Sequence, residues 1–517
     1  MFIRKKTNKS GSVSIHVIDK SDGRFRVDRS FGVARTQEEV ARLEEEARSY
    51  IRSLRGEELD LFASVQDTRI MDFLATLSNS QFQVIGPELI YGVLYDRIGY
   101  GRIGNDMFRH LVITRLFNPG SKLKTIRYLR RYLGIIYSED QIYRFLDNLC
   151  HRKGRERGRR DIKSQVEQIA FEHTKAVVGG RISVVFYDMT TLYFEASDED
   201  DLRIAGFSKD GKHSNPQIFL GLLVASGGNP IGYEIFEGNI FEGHTLIPVL
   251  EKMAERFGLG RPVVVADAGL LSKSNIRALQ ESGYRYILGA RPRNESKAIQ
   301  EAILSRALKD GDVAVIRRDA HSRLIVSHTE NRARKDATNR LRGLRRLQKR
   351  LGNGRLTKSN INNRGYNKYL KLDGDITVSI DMEKFEADGA WDGIKAYVTN
   401  TGLTEKEVIS SYSHLWYIER AFRMNKTDLR IRPVYHRIRN RIEGHICICF
   451  TAYSIMLELE RLLKRKGSVL SLEACRELTN SMYQITAVLP ASGKQVTQLL
   501  RMDDLQQQLY KIISDSC

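Results

Sequence analysis

No run of eighteen uninterrupted apolar residues occurs anywhere in this 517-residue chain, so no membrane-spanning helix is expected. The N-terminal MFIRKKTNKSGSV has basic residues without an apolar stretch behind them, so no secretory signal is expected either, and the sequence reads as cytoplasmic. Cysteine is scarce. The five, Cys150, Cys447, Cys449, Cys475 and Cys517, are odd in number and include no CxxC pair, which argues against a disulfide framework and against zinc fingers. Cys447 and Cys449 in HICICF are expected to pack as small hydrophobes. Repeats and low-complexity tracts are missing too. Acid is the charge in short supply: 63 Asp and Glu stand against 83 Lys and Arg, a formal net charge of +20. A pI near 9.6 at this size calls for a polyanionic partner, and nucleic acid fits better than an anionic membrane surface.

What is present is a globular chain, 41% apolar and long enough for two to four domains. Residues 1–35 alternate around the turn KSDG and read as a basic β-hairpin. Thr36 and Glu39 then form a capping box before an apolar stripe of Val40, Leu43, Ala47 and Leu54 at helical spacing. From 66 to 178 the pattern is helical. Within it, Ser138 caps YSEDQIYRFLDNL, which is either a DNA-reading helix exposing Gln141, Tyr143 and Arg144 or an ordinary amphipathic helix. The basic HRKGRERGRR that follows is either a phosphate-binding loop or a solvated linker. Between 180 and 290 the order reads strand, strand, strand, helix, strand, helix, strand, which a mixed sheet flanked by helices accommodates best. Residues 331–371 hold fourteen Lys and Arg against one acid, Asp336, with Leu341, Leu344, Leu347 and Leu351 on one side of a basic helix. A short β-rich piece (ITVSID, AYVTN) follows, and helices are expected from 404 to the end.

Three acids stand out. Asp188 ends the apolar strand ISVVFYD, Asp267 ends PVVVAD, and strand ends are where ligands bind in α/β sheets. Glu419 lies within SYSHLWYIERAFRMNKTDLRIRP. If that stretch is one helix, Tyr412, Trp416, Glu419, Arg423 and Lys426 fall within about 80° of one another, beside an apolar stripe of Leu415, Ile418 and Phe422. Two strand-end carboxylates with a third from a helix suit a two-metal site for hard divalent cations. Among lesser candidates, Lys209, Lys212 and His213 either approach DNA near Asp188 or belong to a polar loop. His244 is expected to cap a helix, and Glu443 and His445 to make structural hydrogen bonds.

These residues resemble the DDE transposases of bacterial insertion sequences, in the group whose signature spaces Tyr, Arg, Glu and Lys as Tyr412, Glu419 and Lys426 are spaced here. Leu415 stands at the Arg position, a departure that removes one phosphate clamp, for which Arg420 or Arg423 can substitute. FYDMTTLYFEA, GFSKDGKHSNPQIFLGLLV, GYEIFEGNIFEGHTLIPVLE and VVVADAGLLSKSNI carry the same similarity, which covers roughly residues 180–465. The resemblance implies an α/β, ribonuclease-H-like mixed-sheet catalytic domain with an insertion, a largely helical N-terminal region and a helical C-terminus. It implies that Asp188, Asp267 and Glu419 bind two Mg²⁺ or Mn²⁺ ions. Tyr412, Arg423 and Lys426 would hold phosphates, and Trp416 would stack on a base or pack beneath the site. The reaction implied is cleavage of double-stranded DNA at terminal inverted repeats and transfer to target DNA, in some relatives through a hairpin, by a homodimer. The corresponding division is 1–65 and 66–178 for DNA binding, 179–290 and 401–465 for catalysis, 291–400 as a basic insertion, and 466–517 for dimerisation. The competing readings are a standalone two-metal nuclease and a non-catalytic DNA-binding repressor.

Overall fold

The computed structural model describes residues 1–20, 23–54, 65–150, 161–195, 198–206, 215–353, 356–357, 360–362, 365–373, 377–432, 434–490 and 492–515. The chain divides into two units, Met1–Gln81 with Ala487–Val496, and Phe82–Thr486 with Thr497–Cys517. Among the described residues no helix is long and apolar enough to cross a membrane.

In the first unit, β1 (Phe2–Thr7), β2 (Val13–Asp19) and β3 (Arg26–Ala34) form an antiparallel sheet with β2 at its centre. The expected hairpin thus gains an outer strand. Beyond Ile3, β1 is polar at every position, so alternation does not announce it, and only backbone pairing with β2 does. α1 (Gln37–Leu54) begins at the predicted capping box: Glu39 N donates to Thr36 Oγ1 at 3.2 Å, and Thr36 N donates to the Glu39 carboxylate at 3.3 Å. Its Leu43 and Ala47 close over Ile15 and Val17. α2 (Val65–Thr76) follows.

The second unit opens with β4 (Phe82–Val84) and continues through α3 (Val93–Ile98), α4 (Asp106–Phe117), α5 (Lys122–Tyr128), α6 (Glu139–Leu149) and α7 (Ile162–Val177). Ser138 does cap α6, and the Gln141 side chain turns back to accept from Ser138 N at 2.8 Å, which commits Gln141 to the cap. The basic segment 151–160 lies outside the described residues.

Then come β5 (Val184–Tyr193), β6 (Gln217–Ala225), β7 (Pro230–Glu237), α8 (Leu246–Phe257), β8 (Val263–Ala266), α9 (Lys273–Glu281) and β9 (Arg285–Ala290), the order read from the sequence. In space they run β7-β6-β5-β8-β9, with β6 antiparallel to β5 and to β7, and with β8 parallel to both β5 and β9. That is the ribonuclease-H-like mixed sheet. The next residues form α10 (Lys297–Leu304), β10 (Val313–Arg317), β11 (Arg323–His328), α11 (Glu330–Gly352), β12 (Leu370–Asp373), β13 (Thr377–Ile380), α12 (Met382–Ala387) and β14 (Ile394–Thr399). AYVTN, read as part of a separate β-rich piece, supplies β14, which pairs with β9 and brings β11 and β10 with it into an eight-stranded sheet. On α11, Leu344 and Leu347 bury against Tyr369, Leu370 and Phe385, while Leu341 and Leu351 stay exposed because this small satellite core has no further surface to offer them. α13 (Glu405–Ser413), α14 (Trp416–Arg423), α15 (Arg439–Arg465) and α16 (Leu472–Asn480) follow. β15 (Tyr483–Val488) and β16 (Gln495–Leu499) interrupt the expected helical C-terminus before α17 (Asp504–Ser514), with Tyr483–Ile485 pairing antiparallel to β4.

Strand periodicity splits the core across the sheet. Val185, Tyr187 and Met189 face the layer holding α8 and α9, whereas Phe186 faces the one holding α4, α6, α14 and α15. α15 is buried all round from Ile442 to Leu459, the pattern of a helix that passes through a core rather than over it. Cys447 and Cys449 pack there as small hydrophobes, and Cys150 and Cys475 are likewise buried free thiols. Glu458, 2% exposed, ties this helix to its neighbours through His173 of α7 at 3.4 Å and Arg97 of α3 at 3.5 Å, and pairs with Arg461 one turn on in α15 itself. Burial pushes its carboxyl up, but hydrogen bonds and charges from His173 and Arg461 prevail and bring it down to about 2. A carboxyl whose folded value lies below its unfolded one stabilises fully above about pH 4.5 and loses that contribution as pH falls toward 2. Glu458→Gln is therefore expected to cost about 3 kcal/mol at pH 7 by removing the buried charge that Arg97, His173 and Arg461 share. Urea unfolding at a series of pH values checks this, with the gap to wild type narrowing below pH 4.

Candidate active site

Asp188 sits within β5 rather than at its end, because pairing with β6 carries the strand on to Tyr193. On the other side, the parallel ladder with β8 stops at Tyr187↔Ala266. Asp188 and Asp267 are the next residues on the two strands, so they are side by side where neighbouring strands lie about 4.8 Å apart. Alternation fixes their direction: Phe186 and Val265, two positions earlier, both face the layer that holds α14, and so do the two acids. Ala266↔Leu288 and Tyr397↔Gly289 extend the row, which crosses the sheet as Asp188, Asp267, Gly289, Tyr397.

Gly289 is the gap in that row. A Cβ there would run into the hydroxyl of Tyr412 and stand 3.0 Å from the backbone N of Ala268. Through this gap Tyr412, buried at the end of α13, reaches Asp267 and donates to its Oδ1 at 3.1 Å. Its ring meets Tyr397 edge-on at 4.8 Å, and Lys395 Nζ lies 4.7 Å from its centre. Burial, then the Asp267 charge, raises the Tyr412 hydroxyl well above the usual phenol range, and Glu419 adds to the effect. The Lys395 ammonium is pushed down, by burial first and then by Arg332, while Asp267 and Glu419 both pull it up. Tyr412 and Lys395 therefore sense Asp267 and Glu419 together.

Glu419 is exposed on α14, whose Ile418, Ala421 and Phe422 are buried and whose Tyr417 meets Phe186 of β5 edge-on at 5.9 Å. Asp188 of β5 and Asp267, just past the end of β8, thus face the layer that holds α14, and Glu419 of α14 acts on the same Tyr412 and Lys395 as Asp267 does. Among the described residues no group of three or more His, Cys, Asp and Glu is already gathered at metal-binding spacing.

The single helix assumed for 411–426 is three pieces. α13 ends at Ser413, α14 starts at Trp416, and a π-turn, Met424–Asp428, follows it. Tight bonds from Leu415 N to Tyr412 O at 3.0 Å and from Tyr417 N to His414 O at 2.9 Å mark the junction. The junction frees Tyr412 to point at Asp267 from a different helix, which a single helical wheel does not show. Leu415, at the position the signature gives to Arg, is 7% exposed in the main core, so that position offers no phosphate clamp. Arg420 forms an ion pair with Glu460 of α15. Trp416 is 46% exposed, against Tyr417 at 4.4 Å, and does not pack beneath the site. Arg423 is exposed on α14, and Lys426 is half-buried in the π-turn. Lys209, Lys212 and His213 lie outside the described residues.

His244 does not cap α8. Thr245 holds that position, its hydroxyl accepting from the buried Tyr187 at 2.9 Å, and the His244 ring rests edge-on against Phe241. Glu443 accepts from Arg439 at 3.2 Å and His445 Nε2 lies 3.0 Å from Ile431 O, structural contacts as expected. Sequence reading passed over Lys395, Tyr397 and Gly289. A lysine in IKAYVT two positions from a buried tyrosine, hence on the same strand face, was the available signal.

The sequence matches the family described as Transposase DDE domain over residues 179–455. No curated protein matches it. Among solved structures it is similar to the cryo-EM structure of the piggyBac transposase synaptic complex with hairpin DNA, at 11% identity and a TM-score of 0.38, covering 72% of this chain and 69% of that one. It is similar also to the Drosophila P element transposase strand transfer complex, at 10% identity and a TM-score of 0.20, covering 83% and 90%. A Mos1 transposase paired-end complex with the left transposon end shows 10% identity and a TM-score of 0.16 over 34% and 56%. The family match spans more than half of the 517 residues and runs from before β5 into α15, and with it the chain belongs to the DDE-domain transposases, as a DNA transposase.

Proposed function

We propose that Asp188, Asp267 and Glu419 form the catalytic centre, which cleaves double-stranded DNA at the terminal inverted repeats of an insertion sequence and joins the freed ends to target DNA. The observation that carries this is the strand register: it sets two carboxylates side by side on the face that α14 covers with a third. The donor set is all hard oxygen and suits Mg²⁺ or Mn²⁺. Carboxylates repel one another, and divalent cations held by Asp188, Asp267 and Glu419 would offset that repulsion. Bound there, a pair of such ions supplies Lewis acidity to the scissile phosphate and lowers the pKa of the attacking water or 3′-hydroxyl.

The chain's own groups do the rest. The Tyr412 hydroxyl orients Asp267, and Lys395 offsets the negative charge that Asp267 and Glu419 build up. Arg423 and Lys426 donate to strand phosphates, and exposed Trp416 stacks on a base beside the cut. Arg420, held by Glu460, anchors α14 to α15. Pairing two DNA ends calls for a homodimer, working in the cytoplasm.

Asp188→Ala, Asp267→Ala and Glu419→Ala are each expected to abolish Mg²⁺- or Mn²⁺-dependent cutting and joining of a DNA bearing the element's ends, with binding in a gel-shift assay retained. Cleavage surviving all three substitutions would refute the assignment. Cutting without joining would point to a plain nuclease, and binding without either to a repressor. Tyr412→Phe removes only the hydrogen bond to Asp267 and should slow cleavage about 10- to 100-fold. Gly289→Ala displaces the same hydroxyl, so in single-turnover assays the double variant should be no slower than the worse single one.

A further inference from the structure

Away from the carboxylates, a cavity of about 440 Å³ lies between α4, α5, α6 and the segment that follows the π-turn. Among the described residues its lining includes Arg115 and Lys122, each only 4% exposed, and no Asp or Glu. Among the described residues neither cation has an acidic partner. Arg115 makes one long hydrogen bond, to Leu429 O at 3.5 Å. Asp147, the acid nearest in effect to the lining His436, is already held by Arg441 through bonds of 2.7 and 2.9 Å. His445, 6% exposed, spends Nε2 on Ile431 O and leaves Nδ1 buried without a partner. Arg430, also in the lining, is a non-glycine residue held in the left-handed region at φ 47, a conformation that costs energy and is kept where the surroundings impose it.

Burying like charges together without a counter-charge opposes folding. Its effect is visible in the groups themselves: burial and then Arg115 push Lys122 down to about 7, and burial, Lys122, Arg441 and Arg115, in that order, push His436 down to about 3. A bound anion relieves both terms at once. The wall of the cavity at Arg432 is tied to the sheet that carries Asp188, for Arg432 lies over Tyr193 at the end of β5 and Val434, two residues on, bridges Phe194. Phe194 is six residues beyond Asp188, or about 20 Å along the strand.

We propose that this cavity is a phosphate-binding site in which Lys122 and Arg115 hold a backbone phosphate of the DNA end, several nucleotides from the scissile bond. That the phosphate belongs to DNA rests on the proposed function; that the cavity takes a phosphate does not. Such a site fixes the register of the strand without reading its sequence.

The test has two arms. In the first, inorganic phosphate should raise the apparent melting temperature of the full chain by about 2 °C or more over chloride at equal ionic strength. Lys122→Met should melt at or above wild type without phosphate, since it removes an unpaired buried charge, and should lose the phosphate response; Arg115→Met, which keeps the volume of the stem, is the second variant. No selective shift in wild type, or an undiminished shift in both variants, overturns the site. In the second arm, Lys122→Met should weaken binding of an element-end DNA and lower the slope of log K against log salt by about 1. A phosphate shift with unchanged DNA binding overturns the DNA assignment and leaves a site for free phosphate. Both arms use binding alone, so they remain decisive whatever the carboxylate substitutions do to cleavage.

Discussion

The structure turns on one register, Tyr187↔Ala266 in the parallel ladder between β5 and β8. The next residue on each strand is an acid, and both acids point to the same side. A slip of one residue would send one of them into the layer of α8 and α9, where Tyr187, Val264 and Ala266 are fully buried, and a carboxylate there would face an apolar core. Hydrophobic packing on both faces therefore enforces the geometry that the proposed chemistry needs. The apolar residues around each acid hold it in place as firmly as any direct contact.

From that register the site is assembled by what is missing as much as by what is present. Gly289 leaves a hole in the row, Tyr412 enters it, and the hydroxyl arrives at Asp267. The break between α13 and α14 lets Tyr412 and Glu419 approach from separate helices. Behind α14, α15, buried all round from Ile442 to Leu459, gathers the N-terminal helices α3, α4, α6 and α7 into the same core that backs the eight-stranded sheet, and Glu458 and Glu460 fasten it by ion pairs. Residues 82–178 are thus part of the body that carries the site, and the cationic cavity lies where these helices meet it.

Much of this was legible beforehand. The order of strands and helices over 180–290 follows from apolar runs and turn residues, since continuous Val and Ile mark strands buried on both faces. The capping pair of Thr36 with Glu39 and the cap at Ser138 are local and were readable as such, whereas the turn of Gln141 back to that cap was not. Less was legible wherever partners are distant. β1 shows no alternation, AYVTN carries no sign that it joins β9 across more than a hundred residues, and the junction at His414 has no glycine or proline to betray it. Lys395 looks like any strand lysine until Tyr412 comes to lie beneath it.

By itself, the sequence determined the order of strands and helices over 180–290, the capped starts of α1 and α6, the excess of positive charge and the three acids at chemically suggestive places, because propensity, capping and charge depend on neighbours a few residues apart. Tertiary structure alone decided which acids share a face, that Arg420 is committed to Glu460, that Leu415 is core, and that Arg115 and Lys122 are buried together with no acidic partner among the described residues. Those are matters of contact between segments tens to hundreds of residues apart, and contact is set by packing of the whole core, which no local pattern encodes.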